Sequence, residues 1–230
     1  MLGGLPPVAR RYLERAGIVG RPWIHTVRIR QRGRFRMGRD KPWLPLEAEQ
    51  VYTTDPPGFQ WKARLKMSGL WLFRGVDTYK DGHGHMSGKA ARLVTIFDAR
   101  GEQLDQATMV RYLNEMVWFP TAFLSSYITW RGVDTDTFDV TYTDRGRSVT
   151  ARLTVDETGR PTDFVTQRYR EDRGSYSLDT WATPFSEYAT PAGLYLPVRG
   201  QAVWRLPQGD LPYADLTLTS VEYNVPLEEF

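Results

Sequence analysis

The sequence contains no cysteine and only three histidines, His25, His83 and His85. Disulfides and thiolate metal sites are therefore excluded. Long hydrophobic runs are missing too: nothing approaches the roughly 18 consecutive apolar residues of a membrane-spanning helix. The opening MLGGLPPVARRYLERAG has no apolar core of signal-peptide length, so the chain as given reads as cytoplasmic, or as periplasmic or otherwise extracytoplasmic if a leader has been removed. Neither charge is in excess, since 30 basic residues stand against 27 acidic ones for a net +3, and this balance implies no nucleic-acid partner. Lysine is confined to positions 41, 62, 66, 80 and 89, so the cationic side chains are mostly arginine. There is also no nucleophile elbow, phosphate loop or HExxH helix, so no catalytic residue, cofactor or metal is assigned.

What is present is aromatic and alternating. The 230 residues are 41% hydrophobic and 13% aromatic, enough for one sizeable core. From Trp23 the period is two: Val27, Ile29, Phe35 and Met37 alternate with Arg28, Arg30, Arg32, Arg34 and Arg36. Leu46, Ala48, Gln50 and Tyr52 then oppose Glu47, Glu49 and Val51, and Phe59, Trp61, Ala63, Leu65 and Met67 oppose Gln60, Lys62, Arg64 and Lys66. Half-polar strands of this kind belong to an antiparallel sheet with one wet face. The arginine row could track phosphates or serve an assembly partner, but Glu47 and Glu49 on the neighbouring strand favour cross-strand ion pairs on a solvated face. Leu70–Lys80 places Asp77 among Trp71, Phe73 and Tyr79, and a turn at DGHGH leads into a strand to Asp98. His83 and His85 lack an evident third ligand, so this reads as a polar turn rather than a metal site.

Six more strands follow residue 127, the first carrying Phe138, Val140 and Tyr142 and the last running through Ala214–Asn224. The fold class expected is therefore mainly β: about eleven antiparallel strands in one strongly curved sheet or half-barrel. A single domain over 1–230 comprises an N-terminal helix in 1–20, a first β segment over 23–98, a helical insertion over 102–125 and a second β segment over 127–224.

The insertion is the one long helical pattern. Met109, Tyr112, Leu113, Met116 and Val117 share a face, while Leu104, Ala107, Arg111, Glu115 and Trp118 share the opposite one. A helix with apolar side chains on both sides belongs between two layers, with Arg111 and Glu115 paired at i, i+4. Asp105 is the expected N-cap and Pro120 the expected stop. The shorter helix from Leu5 to Ala16 ends on Gly17, a natural C-cap.

The order of helix, five strands, helical insertion and six strands is similar to that of the bacterial lipoprotein-carrier family, half-barrels whose helices cover an apolar cavity. At the level of motifs, Leu5-Pro6-Pro7 with Arg11-Tyr12-Leu13, the Pro57-Gly58-Phe59 and Trp61 run, Asp77 and Tyr79 before Asp81-Gly82, and above all RYLNEMVWFPTAFL from Arg111 resemble a family of uncharacterised bacterial proteins. The first resemblance implies a covered apolar hollow; neither implies a reaction.

Inner-face aromatics beneath a covering helix point to binding of a hydrophobic or amphipathic small molecule, lipid-like in character. The candidate ligand-binding residues are Trp61, Trp71, Phe73, Asp77, Tyr79, Arg111, Tyr112, Glu115, Trp118 and Phe119. A second reading is an enzyme using the polar cluster of Glu115, Arg111 and Asp77, in which a buried carboxylate acts as base.

Overall fold

A computed structural model describes residues 2–91, 94–172 and 174–227. Two meanders are joined edge to edge. Strands β1 (Thr26–Phe35), β2 (Leu44–Thr54), β3 (Pro57–Met67), β4 (Leu70–Lys80), β5 (His83–Ala90) and β6 (Val94–Arg100) form the first. The second comprises β7 (Ile128–Gly132), β8 (Thr137–Asp144), β9 (Arg147–Val155), β10 (Pro161–Asp172), β11 (Ser175–Ala189), β12 (Leu196–Leu206) and β13 (Gly209–Tyr223). Pairing of β1 with β13 makes one sheet of thirteen strands, ordered β6-β5-β4-β3-β2-β1-β13-β12-β11-β10-β9-β8-β7.

The strand count exceeds the eleven expected. The segment read as one strand up to Asp98 is two, because Ala91 turns through a left-handed conformation at φ 47° without the glycine or asparagine that would signal it. The five-residue β7 is too short for its alternation to register. The outer face is as read: Arg30 reaches Glu49 at 3.0 Å and Arg64 reaches Glu47 at 2.5 Å across neighbouring strands. Arginines of β1 and β3 thus neutralise the carboxylates of β2 rather than forming an open cationic stripe.

Helix α1 (Pro7–Ala16) buries Val8, Tyr12 and Leu13 and ends on Gly17 in the left-handed conformation, φ 80°, which carries no steric penalty in glycine. Helix α2 (Glu102–Glu115) is the covering element. Its start differs from expectation: Gly101 is the N-cap, and Asp105 lies in the first turn with its carboxylate turned sideways into the sheet. Its end is also earlier than Pro120, because 3-10 turns over Met116–Trp118 and Pro120–Leu124 replace the last helical turns.

The placement of α2 shows how far the sheet curls. Asp105 accepts from the Gly84 N–H of β5 at 2.7 Å and from Arg147 Nη1 of β9 at 2.5 Å. The next residue, Gln106, accepts from the Tyr169 N–H and donates to the Gln167 carbonyl, both on β10, at 3.1 and 2.8 Å. In the sheet order β5 and β10 are eight strand spacings apart, about 38 Å if the sheet were flat. Two adjacent helical residues can reach both only if the sheet wraps around α2 as an open half-barrel. Gly84 permits the approach, since a Cβ there would lie 2.6 Å from the Leu104 carbonyl oxygen and Thr108 Oγ1.

Candidate functional site

One face of α2 closes the main core. Met109, Tyr112, Leu113, Met116 and Val117 are buried with Tyr12, Phe119, Phe123, Phe138 and Tyr142, as the first helical face implied. Tyr112 donates to the Thr53 carbonyl at 2.8 Å, fixing the helix to β2. Downstream, Trp118 Nε1 donates to the Pro197 carbonyl of β12 at 3.1 Å, and Tyr223 donates to the Trp118 carbonyl at 2.6 Å. The covering segment is thus tied to the sheet at both ends.

The opposite face of α2 looks into a hollow of about 820 Å³ between helix and sheet. Ala107, Arg111, Asn114, Glu115 and Trp118 line it from the helical segment, Trp61, Leu65 and Phe73 from β3 and β4, and Trp181, Phe185 and Trp204 from β11 and β12. An adjoining hollow of about 490 Å³ shares Phe35, Met37, Trp204 and Tyr213. The hollow has a structural cause. Ala48, Ala63, Gly75 and Gly88 stand side by side in register across β2 to β5; Ala63 and Gly75 line the hollow where bulkier residues would fill it, while the rings of Phe73 and Phe97 lie over Gly88. Leu46, Ala48, Ala63, Leu65 and Phe73 consequently form a cluster of their own beside the main core, with Trp61 touching both.

The polar end of the hollow is a closed network. Arg111 donates from Nη1 to Asp77 Oδ2 at 2.6 Å, from Nε to Glu115 Oε1 at 2.7 Å and from Nη2 to Gln50 Oε1 at 3.0 Å. Gln50 Nε2 and the Tyr52 hydroxyl donate to Glu115 Oε2 at 2.7 and 3.0 Å. The guanidinium lies over the rings of Trp61 and Phe59, 4.7 and 5.0 Å from their centroids. Asp77 is 2% exposed and Glu115 6%. Burial pushes both carboxyls above their usual range, and the attraction of Arg111 only partly opposes it. For Arg111, burial acts to lower the pKa, but Glu115 and Asp77 outweigh it and the guanidinium stays charged. Asp77 Oδ1 and Asn114 Nδ2 are enclosed without a partner among the described residues.

Of the residues singled out from sequence, the structure brings Trp61, Phe73, Asp77, Arg111, Glu115 and Trp118 together around the hollow. Tyr79, Tyr112 and Phe119 lie instead in the main core. Trp71 is on the other side of the sheet, 37% exposed and stacked 4.7 Å from Arg64, because a bulge between Leu65 and Lys66 shifts the register of β3 against β4. A two-residue period carried through a bulge assigns the wrong face.

The sequence reading missed Arg168, Trp181 and Phe185. Arg168 is 8% exposed; its Nε donates to the Ala107 carbonyl of α2 at 3.1 Å and its Nη1 to the Tyr213 hydroxyl at 3.0 Å. Its guanidinium lies 4.9 Å from the Trp181 ring centroid and 5.7 Å from that of Trp204. The signal was available: Phe164, Thr166 and Arg168 share one parity of β10, and Phe164 belongs to the core.

No curated protein matches the chain in sequence. Two solved structures share its fold over nearly all of both chains. A LolA superfamily protein from Nitrosomonas europaea aligns with a TM-score of 0.54 at 12% identity, over 95% of this chain and 94% of that one. The domain of a putative outer membrane lipoprotein-sorting protein from Vibrio parahaemolyticus aligns with a TM-score of 0.52 at 10% identity, over 96% and 93%. At such identities the likeness concerns the fold alone. The sequence itself is matched over residues 1–216 by the model of a family of unknown function, DUF6544, and the chain belongs to that family.

Proposed function

We propose that the protein is a binding or carrier protein for a hydrophobic or amphipathic small molecule, lipid-like in character, held between α2 and the curved sheet. The observation that carries this reading is the hollow of about 820 Å³ with walls of Trp61, Leu65, Phe73, Trp181 and Phe185. Its size falls within the ~300–1,000 Å³ of sites that hold one drug-sized molecule. Exposed apolar side chains add support: Met37, Phe97 and Tyr176 line the same hollow while remaining open to solvent, as expected where an apolar guest enters. The fold neighbour described as a lipoprotein-sorting protein agrees with this reading by analogy.

The enzyme reading draws less support. Each nitrogen of Arg111 already donates within its own network, as both oxygens of Glu115 already accept. These groups brace α2 against β2 and β4 at the end of the hollow. Native mass spectrometry tests the proposal: protein purified without detergent is expected to carry, or to take up at one-to-one stoichiometry, a single-chain lipid. Protein that stays unliganded with excess dodecanoate and dodecan-1-ol would refute it.

A further inference from the structure

Four arginines line the hollow: Arg111, Arg168, Arg170 and Arg199. Three are matched by carboxylates, Arg111 by Asp77 and Glu115, Arg170 by Asp179 and Asp172, and Arg199 by Asp215 and Glu187. Arg168, although buried, has no carboxylate within ion-pair distance among the described residues. Its two assigned hydrogen bonds go to neutral oxygens, the Ala107 carbonyl and the Tyr213 hydroxyl. Tyr213 is held in turn by the Trp181 indole, whose Nε1 donates to the same hydroxyl at 3.0 Å. The third nitrogen, Nη2, has no acceptor among the described residues, yet it is not one of the enclosed polar atoms. It therefore keeps open surface, and on a side chain otherwise covered by Trp181, Trp204 and α2 that surface belongs to the hollow.

A buried cation with no carboxylate in contact is costly, and such groups are ordinarily paired; the Asp77 carboxylate acts on Arg168 only through space. Resting on the carrier reading above, we infer that Arg168 is the headgroup site of the cavity, and that the ligand is a single-chain amphiphile with an oxyanion headgroup, a carboxylate or a phosphate monoester. The headgroup accepts from the two N–H groups of Nη2 between Trp181 and Trp204, and the chain lies along Trp61, Leu65 and Phe73. The orphaned oxygen of Asp77 does not compete for this role. It has no open surface, and it is itself an acid.

The test compares four probes of one chain length at pH 8, dodecanoate, dodecyl phosphate, dodecan-1-ol and methyl dodecanoate, by calorimetry on the wild type and on Arg168→Gln. At least one anion is expected to bind about tenfold to a hundredfold more tightly than the alcohol or ester, the range of a charge-assisted hydrogen bond in a dry site. Arg168→Gln is expected to abolish that preference while leaving the alcohol within about twofold, and the tighter anion names the headgroup. Equal binding of anions and neutral probes by the wild type would overturn the headgroup site and leave the carrier reading standing. Binding of none of them would remove both. Because Arg168 also holds the Ala107 carbonyl, Arg168→Gln could fail to fold; the comparison of dodecanoate with its methyl ester on the wild type then decides alone.

Discussion

Replacing Gly75 by valine tests whether the hollow is truly empty space. Gly75 sits mid-strand in β4 and lines the hollow, and the atoms nearest a Cβ built on it, from Phe73, Trp61 and the Ser87 carbonyl oxygen, lie at 3.6 to 3.9 Å, ordinary contact distances. Removing a glycine from a strand interior stabilises by about 0.5–1 kcal/mol. Two further methyl groups would add ~0.8 kcal/mol each if fully buried, and about half of that facing a hollow. The sum is roughly 1–2 kcal/mol, which at ~2–4 °C per kcal/mol for a chain of this size raises Tm by about 2–8 °C. The same methyls intrude on any guest, and overpacking of ~1–3 kcal/mol weakens dodecanoate binding by roughly fivefold to a hundredfold. Calorimetric melts and titrations on one preparation give both values. A Tm lowered by several degrees would mean that the wall has no room there, and unchanged affinity would mean that the guest lies elsewhere. The neighbouring Gly88 is the control: its Cβ would lie 2.3 Å from the Phe97 ring and 2.6 Å from Phe73, so Gly88→Ala is expected to destabilise.

Asp77 gives a pH test. Burial raises its pKa in the folded chain, so the stability it contributes is full below the unfolded pKa of about 4 and is lost as pH rises through the folded value. Asp77→Asn escapes that loss; its Tm relative to wild type should climb between pH 4 and 8, and a relative Tm that climbs on acidification would show that attraction to Arg111 dominates instead. Asp105→Ala strands the Gly84 N–H and frees Arg147, and is expected to cost about 1–3 kcal/mol in urea unfolding; a cost near zero would mean that α2 is held otherwise. On the outer face Arg30→Ala should cost under about 1 kcal/mol, and strongly salt-dependent binding of the wild type to DNA would contradict the neutralised arginine row.

The alternation of β1 to β4 and the pairing of Glu47 and Glu49 with arginines were legible because they depend on neighbouring residues and hairpin partners alone. So was the double-faced character of the covering segment, since Ala107 and Trp118 on one side and Leu113 on the other are all apolar. What escaped depends on register between strands. The bulge that turns Trp71 outward and the alignment of Ala48, Ala63, Gly75 and Gly88 across four strands have no signature in any one of them. Asp105 looked like a cap because its chemistry suits one, but the Gly84 N–H and Arg147 outcompete the helix's own first turn for its oxygens.

The most direct measurement of a guest beneath α2 is the tryptophan indole N–H spectrum of the protein titrated with a spin-labelled fatty acid. Trp61, Trp118, Trp181 and Trp204 line the hollow, while Trp71 stacks on Arg64 outside and Trp130 packs with Phe123 and Phe138. The four lining signals should broaden at one equivalent while those of Trp71 and Trp130 persist. Broadening of Trp71 first, or of no indole at all, would contradict a ligand held between the helix and the sheet.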